Sequence, residues 1–225
     1  MKSVLISIQP KWCELIANGK KTVEVRKTRP KIEMPFKCYI YCTKDKHGWF
    51  DFLKKERLDG KVIGEFVCDF IANYEAEFWD DETYERIQEF YEPDDFAEYG
   101  EYEYQTIADN GDDFWRENML CESSCLTIEE LRKYIGTGIN EFYGWHISDL
   151  VIYDEPKELS EFYKWNDYDD PEKDKRPCAW CEHKGFDYSE NQSYCGIDYD
   201  GECCIHLQMK RPPQSWCYVE GGEEE

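Results

Sequence analysis

The sequence predicts an α+β fold: a small, strongly curved mixed β-barrel with flanking helices, an acidic helical insertion and a C-terminal Cys-rich zinc-knuckle segment. Three observations predict it. Residues 1–74 read as a strand, a helix and three further strands, residues 75–125 are strongly acidic, and five cysteines cluster between Cys178 and Cys204. The chain has 225 residues and 16% aromatic residues, so it can bury a core and does not have the composition of a disordered chain.

The first strand and helix are predicted from the segment VLISIQPKWCELIANG. The apolar run ends before Gln9, Pro10 suits the first turn of a helix, and Gly19 suits its C-terminal cap. This run is too short for an export signal, and no stretch reaches the roughly 18 apolar residues of a membrane span. We therefore expect a cytoplasmic protein that has no membrane contact.

The next segment, KTVEVRK, alternates as an amphipathic strand does. Thr22, Glu24 and Arg26 share one predicted face, and Val23 and Val25 share the other. Two further strands are predicted in FKCYIYCTK, which is apolar enough to be buried, and in GKVIGEFVCDFIANY.

The rest of the chain predicts an insertion, a helix and closing strands. Residues 75–125 are expected to form short helices and loops that have little core of their own. In LTIEELRKYIG, Thr127 and Glu130 form a capping box and Gly136 ends the helix. NEFYGWHISDLVIYDEPKELSEF returns to strand and ends at Pro156, and RPPQSWCYVE predicts the last strand. The predicted units are a barrel from residues 1–74, 126–164 and 210–219, an acidic insertion at 75–125, and a linker with the Cys-rich segment at 165–209.

Charge is distributed unevenly along the chain. Residues 1–64 contain 15 Lys or Arg and 7 Asp or Glu, whereas the whole chain has a formal net charge of −23. Asn18–Lys31 alone contains six Lys or Arg. This asymmetry indicates one basic working face on a protein that otherwise repels polyanions. Broad non-specific binding of duplex nucleic acid is disfavoured, because phosphate neutralisation supplies most of that affinity.

The basic segment resembles the motif of ASCH domains. NGKKTVEVRK carries the pattern Gly-x-Lys-x-x-Glu-x-Arg at Gly19, Lys21, Glu24 and Arg26. The opening strand and helix, GWHISDLVIYDEPKELSEF and RPPQSWCYVE are similar to segments of ASCH proteins from bacterial and phage genomes. The resemblance covers the three segments of the predicted barrel, the last one in short form. It implies a PUA-like β-barrel, a fold shared with modules that bind RNA or read modified bases.

Together, the resemblance and the side-chain chemistry predict a cleft for RNA or a single nucleotide, with the RNA single-stranded. An Arg supplies fixed donors for a phosphate or a base edge, and a carboxylate accepts from an exocyclic amine. Tryptophans are candidate stacking surfaces for an unpaired base. Glu24 with Arg26 also fits an ordinary ion pair, and both tryptophans also fit a core. The predicted nucleic-acid-binding residues are Lys20, Lys21, Thr22, Glu24, Arg26, Lys27, Trp12 and Trp145.

A hydrolase acting on RNA or modified nucleosides is one alternative. Some ASCH-like proteins are amidohydrolases on acetylated cytidine, which use a Lys, a Thr three residues later and a distant carboxylate, and others have nuclease activity. Lys21 matches the Lys, but Glu24 stands where the Thr is expected, which argues against the amidohydrolase reaction. The remaining acid/base candidates are Lys21 with Glu24, and Glu24 with His146, whose imidazole titrates near neutral pH.

A protein-interaction module of phage type is a second alternative. In this interpretation the acidic insertion presents a DNA-mimicking surface to a protein partner.

The segment CAWCEHKGFDYSENQSYCGIDYDGECC predicts a closed, structural zinc site. A Cys-x-x-Cys turn and two ligands from a later loop satisfy tetrahedral coordination, and the segment is too poor in apolar residues to fold without the metal. Cys204 and His206 are alternatives for the last ligand, and buried or disulfide-bonded cysteines are the alternative to a metal site. The predicted ligands are Cys178, Cys181, Cys195 and Cys203. The seven cysteines outside the cluster are expected to be buried thiols.

Overall fold

The computed structural model of the chain describes residues 2–44, 58–78, 85–91, 103–109, 119–165, 184–187, 192–195 and 208–220. In chain order, the helices and longer strands are β1 (Lys2–Ile8), α1 (Pro10–Ala17), β2 (Val23–Arg26), β3 (Phe36–Cys42), β4 (Val62–Cys68), β5 (Ile71–Phe78), β6 (Glu85–Tyr91), β7 (Glu103–Asp109), α2 (Met119–Ser124), α3 (Ile128–Ile135), β8 (Gly138–His146), β9 (Ser148–Lys157), β10 (Lys184–Asp187), β11 (Gln192–Cys195) and β12 (Trp216–Glu220). None of the helices in these ranges is long and apolar enough to cross a membrane.

The strands form two five-stranded sheets and one hairpin. The first sheet has the order β12-β1-β3-β4-β9, in which β1 lies parallel to β3 and the other pairs are antiparallel. The second sheet has the order β2-β8-β5-β6-β7 and is antiparallel throughout. Strands β10 and β11 pair with each other. The α+β class that the sequence predicts is therefore confirmed, with sheet as its main component.

Each face of the second sheet covers a different core. On one face, Trp145 and Ile71 pack against the first sheet and α1, together with Phe66 and Ile16. On the other face, Phe142 belongs to a cluster that includes helix residues Leu131 and Ile135 of α3 and Leu120 of α2. Strand β2 is consequently covered on both of its faces.

The predicted β-barrel does not close within the described residues, because their strands divide into two five-stranded sheets and one hairpin. The chain crosses between them at short connections: β4 is followed by β5 after Asp69 and Phe70, and β8 by β9 after Ile147. Register shifts between β4 and β9, and a positive φ of 45° at Asp149, lie close to the second crossing. Such irregularities bend strands and interrupt their pairing. At each crossing the chain therefore passes from one sheet to the other, and the strands do not close into a ring.

The predicted helical character of residues 75–125 is also wrong for the part that is described. Strand β5 runs through the predicted boundary to Phe78, and β6 and β7 extend the second sheet, leaving α2 as the only helix described within this range. Ile87 of β6 is fully buried opposite Ala76, and Arg86 forms an ion pair with Glu77 at 2.7 Å. In β5, the half-buried Glu75 and Glu77 alternate with the buried Tyr74, Ala76 and Phe78, so the strand accommodates acidic residues without placing them in the core.

The predicted helix ends are confirmed. Helix α1 begins at Pro10 and is followed by Gly19 with a φ of +68°, a conformation that favours glycine. Helix α3 has the capping box, in which Thr127 Oγ1 accepts from the backbone N–H of Glu130 at 3.1 Å, and Glu130 Oε2 accepts from that of Thr127 at 3.1 Å. Strand β9 does not end at Pro156 but continues to Lys157. The final strand matches its prediction.

Candidate nucleic-acid interface

Lys21, Glu24 and Arg26 of the sequence motif form a buried charge network between the two sheets. Their exposed fractions are 3%, 6% and 8%. Glu24 bridges the two cations: Oε2 lies 3.3 Å from Lys21 Nζ, and Oε1 lies 3.0 Å from Arg26 Nη2. The alternation of β2 brings Glu24 and Arg26 to one face, as the sequence predicts, and this face is directed into the molecule.

The ammonium group of Lys21 is held by two hydrogen bonds and one ion pair. Its Nζ donates to the backbone oxygens of Val23 at 2.8 Å and Ser124 at 2.7 Å, and it also faces the Glu24 carboxylate. An ammonium has three protons, and three acceptors surround it here. Lys21 therefore ties β2 to the end of α2.

Three buried polar atoms around the network have no hydrogen-bond partner within the described residues: Glu24 Oε2, Arg26 Nε and Trp145 Nε1. The Lys21–Glu24 contact at 3.3 Å is close enough for charge attraction but is not aligned as a hydrogen bond, so we treat it as an ion pair. Arg26 Nη2 does donate to the backbone oxygen of Ser7 at 2.7 Å. Because Glu24 pairs in register with Trp145, these atoms share one side of the second sheet.

The two tryptophans occupy different environments. Trp145 is fully buried and contacts Phe36 edge-on and Trp216, with ring centroids 5.9 Å apart in both pairs. It therefore has no face available to a base. Trp12 on α1 is half-buried, and the Nζ atoms of Lys11 and Lys21 lie 4.1 Å and 5.3 Å from its ring centroid.

The other predicted residues do not join the network. Lys20, Thr22 and Lys27 are exposed. His146 neighbours Trp145 on β8 and so faces the opposite side of the sheet from Glu24, and its Nδ1 contacts Asp69 Oδ1 at 2.7 Å. This hydrogen bond lowers the pKa of Asp69. The structure therefore does not bring Glu24 and His146 together as an acid/base pair.

A groove of about 660 Å³ adjoins the network where the chain leaves β2. We call it the basic groove, and it is lined by Lys27, Thr28, Arg29, Pro30, Lys31, Ile32, Glu33, Met34, Ile71 and Tyr143. The lining contains three cations and one carboxylate. Arg29 and Lys31 belong to the basic segment Asn18–Lys31 that the sequence singles out, whereas Glu33 and Tyr143 were not predicted as site residues. The alternation of charged and apolar residues from Lys31 to Met34 was the available signal.

Two residues of β12 hold the loop that forms the groove wall. Trp216 Nε1 donates to Thr28 Oγ1 at 3.0 Å, and the Lys31 backbone N–H donates to the Tyr218 hydroxyl at 2.6 Å. The loop is thus fixed at two points by a strand that is nearly two hundred residues later in the sequence.

Contacts with neighbouring residues orient two of the cations of the groove. Lys27 Nζ donates to the backbone oxygen of Ile135 at 3.2 Å. The Arg29 guanidinium lies 5.7 Å from the Tyr143 ring centroid, and its Nη1 donates to Asn73 Oδ1 at 3.4 Å. A cation over an aromatic ring, next to apolar side chains, is a surface that accepts a base and a phosphate together.

The seven cysteines outside the cluster are free thiols, but only four are buried as predicted, while Cys121, Cys125 and Cys217 are half-buried. Burial raises the pKa of several of them. Cys13 and Cys38, both close enough to the network to sense the charges of Glu24 and Arg26, have their pKa raised mainly by desolvation. Their thiolate forms are therefore disfavoured, as expected of buried thiols.

The predicted zinc ligands Cys178, Cys181 and Cys203 lie outside the described residues, as do the alternatives Cys204 and His206, while Cys195 ends strand β11. Among the described side chains there is no group of three or more potential metal ligands.

Comparisons with known proteins agree with the resemblance noted in the sequence. Residues 6–107 match the family model of the ASCH domain. The crystal structure of ASCH from Zymomonas mobilis is similar at 18% sequence identity, over 70% of this chain and 73% of that one, with a TM-score of 0.41. Two mutants of that protein are similar at 19% identity, over 70% and 71% of this chain and 74% and 77% of theirs, with TM-scores of 0.40. No curated protein matches the sequence. The family match includes the buried network and all of the groove lining except Tyr143.

Proposed function

We propose that this chain binds single-stranded RNA or a nucleotide in the basic groove, because residues 6–107 match the ASCH domain family, whose PUA-like fold is associated with RNA binding. The observation that carries the proposal is the combination of three cations with an aromatic ring and apolar side chains in one open groove. Cations bind backbone phosphates, and apolar and aromatic side chains provide a surface on which unpaired bases stack.

The size and charge of the molecule favour a small footprint. A groove of about 660 Å³ is within the range of small-ligand sites, roughly 300–1,000 Å³, and accommodates one or a few nucleotides. The net charge of −23 opposes the approach of a long duplex, whose phosphates would face acidic surface beyond the groove. A short unpaired segment avoids most of this repulsion.

The buried network supports the groove instead of contacting the ligand directly. Glu24 and Arg26 fix the end of β2, from which Lys27 and the groove loop emerge. Arg26 also donates from Nη2 to the backbone oxygen of Ser7 on β1, which ties the end of β2 to the first sheet. A rigid support of this kind lowers the entropy lost when a ligand orders the loop.

The described residues do not favour the hydrolase alternative. Lys21 and Glu24 are buried, Lys21 Nζ is bonded to two backbone oxygens, and the Glu24 carboxylate is shared between two cations, so neither side chain is open to a substrate. The Asp69–His146 pair is exposed and lies on the opposite side of β8 from Glu24.

The proposal is tested by measuring the affinity of a fluorescent single-stranded RNA for the wild type and for the triple variant Lys27→Ala, Arg29→Ala, Lys31→Ala. Each lost phosphate contact reduces the slope of log affinity against log salt by roughly 0.7. We therefore expect much weaker binding and a slope reduced by about two.

The matched control is Lys164→Ala, Lys210→Ala, Arg211→Ala, which removes the same types of charge from exposed positions that do not line the groove. Equal loss of binding in both triple variants would indicate a general charge effect and contradict the proposal. The absence of any RNA binding by the wild type would also overturn it.

A further inference from the structure

Glu33 is an unusual residue for the lining of a groove that binds polyanions. It is exposed, it lines the basic groove, and within the described residues no hydrogen bond or ion pair engages its carboxylate. The nearby cations have other contacts, since Lys27 donates to Ile135 and Arg29 interacts with Asn73 and Tyr143. Glu33 therefore does not serve to neutralise them.

An unpaired carboxylate in this position weakens phosphate binding, because it repels phosphates electrostatically. It becomes favourable only if the ligand brings hydrogen-bond donors to it. An ionised carboxylate is purely an acceptor, and its two oxygens accept two parallel N–H groups best. A base recognised by Glu33 must therefore present two adjacent N–H donors.

Guanine is the base that offers two adjacent donors on its Watson–Crick edge, the N1–H and the N2 amino group. Adenine and cytosine each present an amino group beside a ring-nitrogen acceptor, which repels a carboxylate, and uracil presents one N–H between two carbonyl oxygens. Single-stranded RNA exposes this edge, as a duplex does not. Resting on the proposed function, we propose that Glu33 makes the basic groove selective for an unpaired guanine.

The remaining lining supplies the other parts of such a site. Met34 is 46% exposed, and with Ile71 it offers apolar surface for the base plane next to the Tyr143 ring. Lys31, two residues before Glu33, is exposed and available to the phosphate of the same nucleotide. The base edge then donates to Glu33, the one acid of the groove lining, and the phosphate contacts the cations of the groove.

The test measures the affinity of hexameric oligouridine in which one central position is uridine, guanosine, inosine, adenosine or cytidine. Inosine keeps the N1–H of guanosine but lacks the 2-amino group, so it removes one of the two bonds. For the wild type we expect guanosine to bind roughly tenfold or more tighter than the other four, the discrimination expected of a bidentate contact.

The variants are Glu33→Ala and Glu33→Gln, with Glu155→Ala as a control at an exposed acid outside the groove. We expect Glu33→Ala to bind every hexamer at least as tightly as the wild type binds the all-uridine one, since a repulsive charge is gone, and to lose the preference for guanosine. Glu155→Ala is expected to retain it. The ratio of affinities is decisive, because loss of repulsion alone raises all five affinities equally.

Three outcomes overturn the inference. A wild type that binds all five hexamers equally has no base selectivity, although the proposed function then stands. A guanosine preference that survives in both Glu33 variants assigns selectivity to another residue. A wild type that binds none of the hexamers overturns the inference and the proposed function together.

Discussion

At the scale of single residues, the charge network between the sheets is the feature on which the site depends. Glu24 is the only carboxylate in contact with Lys21 and Arg26 among the described residues, and all three side chains are nearly inaccessible to water. Desolvation makes such groups costly unless each finds partners. Glu24 thus compensates two buried cations at once.

Replacing Glu24 is therefore expected to be severe. Glu24→Gln leaves two buried cations without a counter-charge, and we expect a loss of roughly 3–5 kcal/mol in the free energy of unfolding. Urea denaturation followed by circular dichroism measures it. The control is Lys11→Ala, which breaks the exposed Lys11–Glu130 pair and should cost less than about 1 kcal/mol. Equal losses in the two variants would show that the network contributes little.

The sequence predicts which residues of β2 share a face, but it does not predict where that face points. Alternation places Glu24 and Arg26 together, and a strand with charged residues on one side is normally assumed to expose them. Here Val25 is also buried, because both faces of β2 are covered by other elements. The elements that bury β2 are far from it in the sequence, so the local sequence pattern does not predict this burial.

At the scale of elements, helix α3 shows where local sequence is sufficient. Its first turn and its end are both encoded by residues within ten positions, and both are found as predicted. Strands β6 and β7 show the opposite case. Their acidic composition resembles that of exposed helices or loops, but β6 pairs with β5 and buries Ile87, and β7 pairs with β6. Sheet pairing is non-local, so composition alone is misleading.

The cap of α3 gives a prediction at this scale. Thr127→Ala removes the acceptor for the Glu130 N–H and should lower the free energy of unfolding by about 1 kcal/mol. The control is Thr137→Ala, an exposed loop position whose backbone oxygen, not its side chain, accepts from Asn140. Thermal or urea unfolding of both variants checks it, and a control as damaging as Thr127→Ala would contradict the capping argument.

At the scale of the whole molecule, the arrangement in two sheets determines where binding can occur. The two sheets pack against each other through the core that contains Trp145 and Ile71, and the basic groove shares Ile71 with that core. The basic groove lies at that contact, since Tyr143 and Ile71 come from the second sheet and the loop is held by β12 of the first. The sequence predicts the individual strands, but it does not predict how the two sheets come together.

The zinc site remains a prediction about the molecule as a whole. Metal analysis of the purified protein is expected to find about one zinc per chain, as four-coordinate structural sites hold one ion. The double variant Cys178→Ser, Cys181→Ser should lose the metal, whereas Cys121→Ser, outside the cluster, should retain it. Less than about half an equivalent of zinc in the wild type would count against the site.

The attachment of the groove loop to Trp216 and Tyr218 has a consequence for biosynthesis. The loop emerges from the ribosome early, but the strand that fixes it is among the last described parts of the chain to be made. A nascent chain that ends before β12 contains every cation of the groove without the hydrogen bonds that shape it. If the groove binds a nucleotide as proposed, we expect this binding to begin only after translation has passed β12.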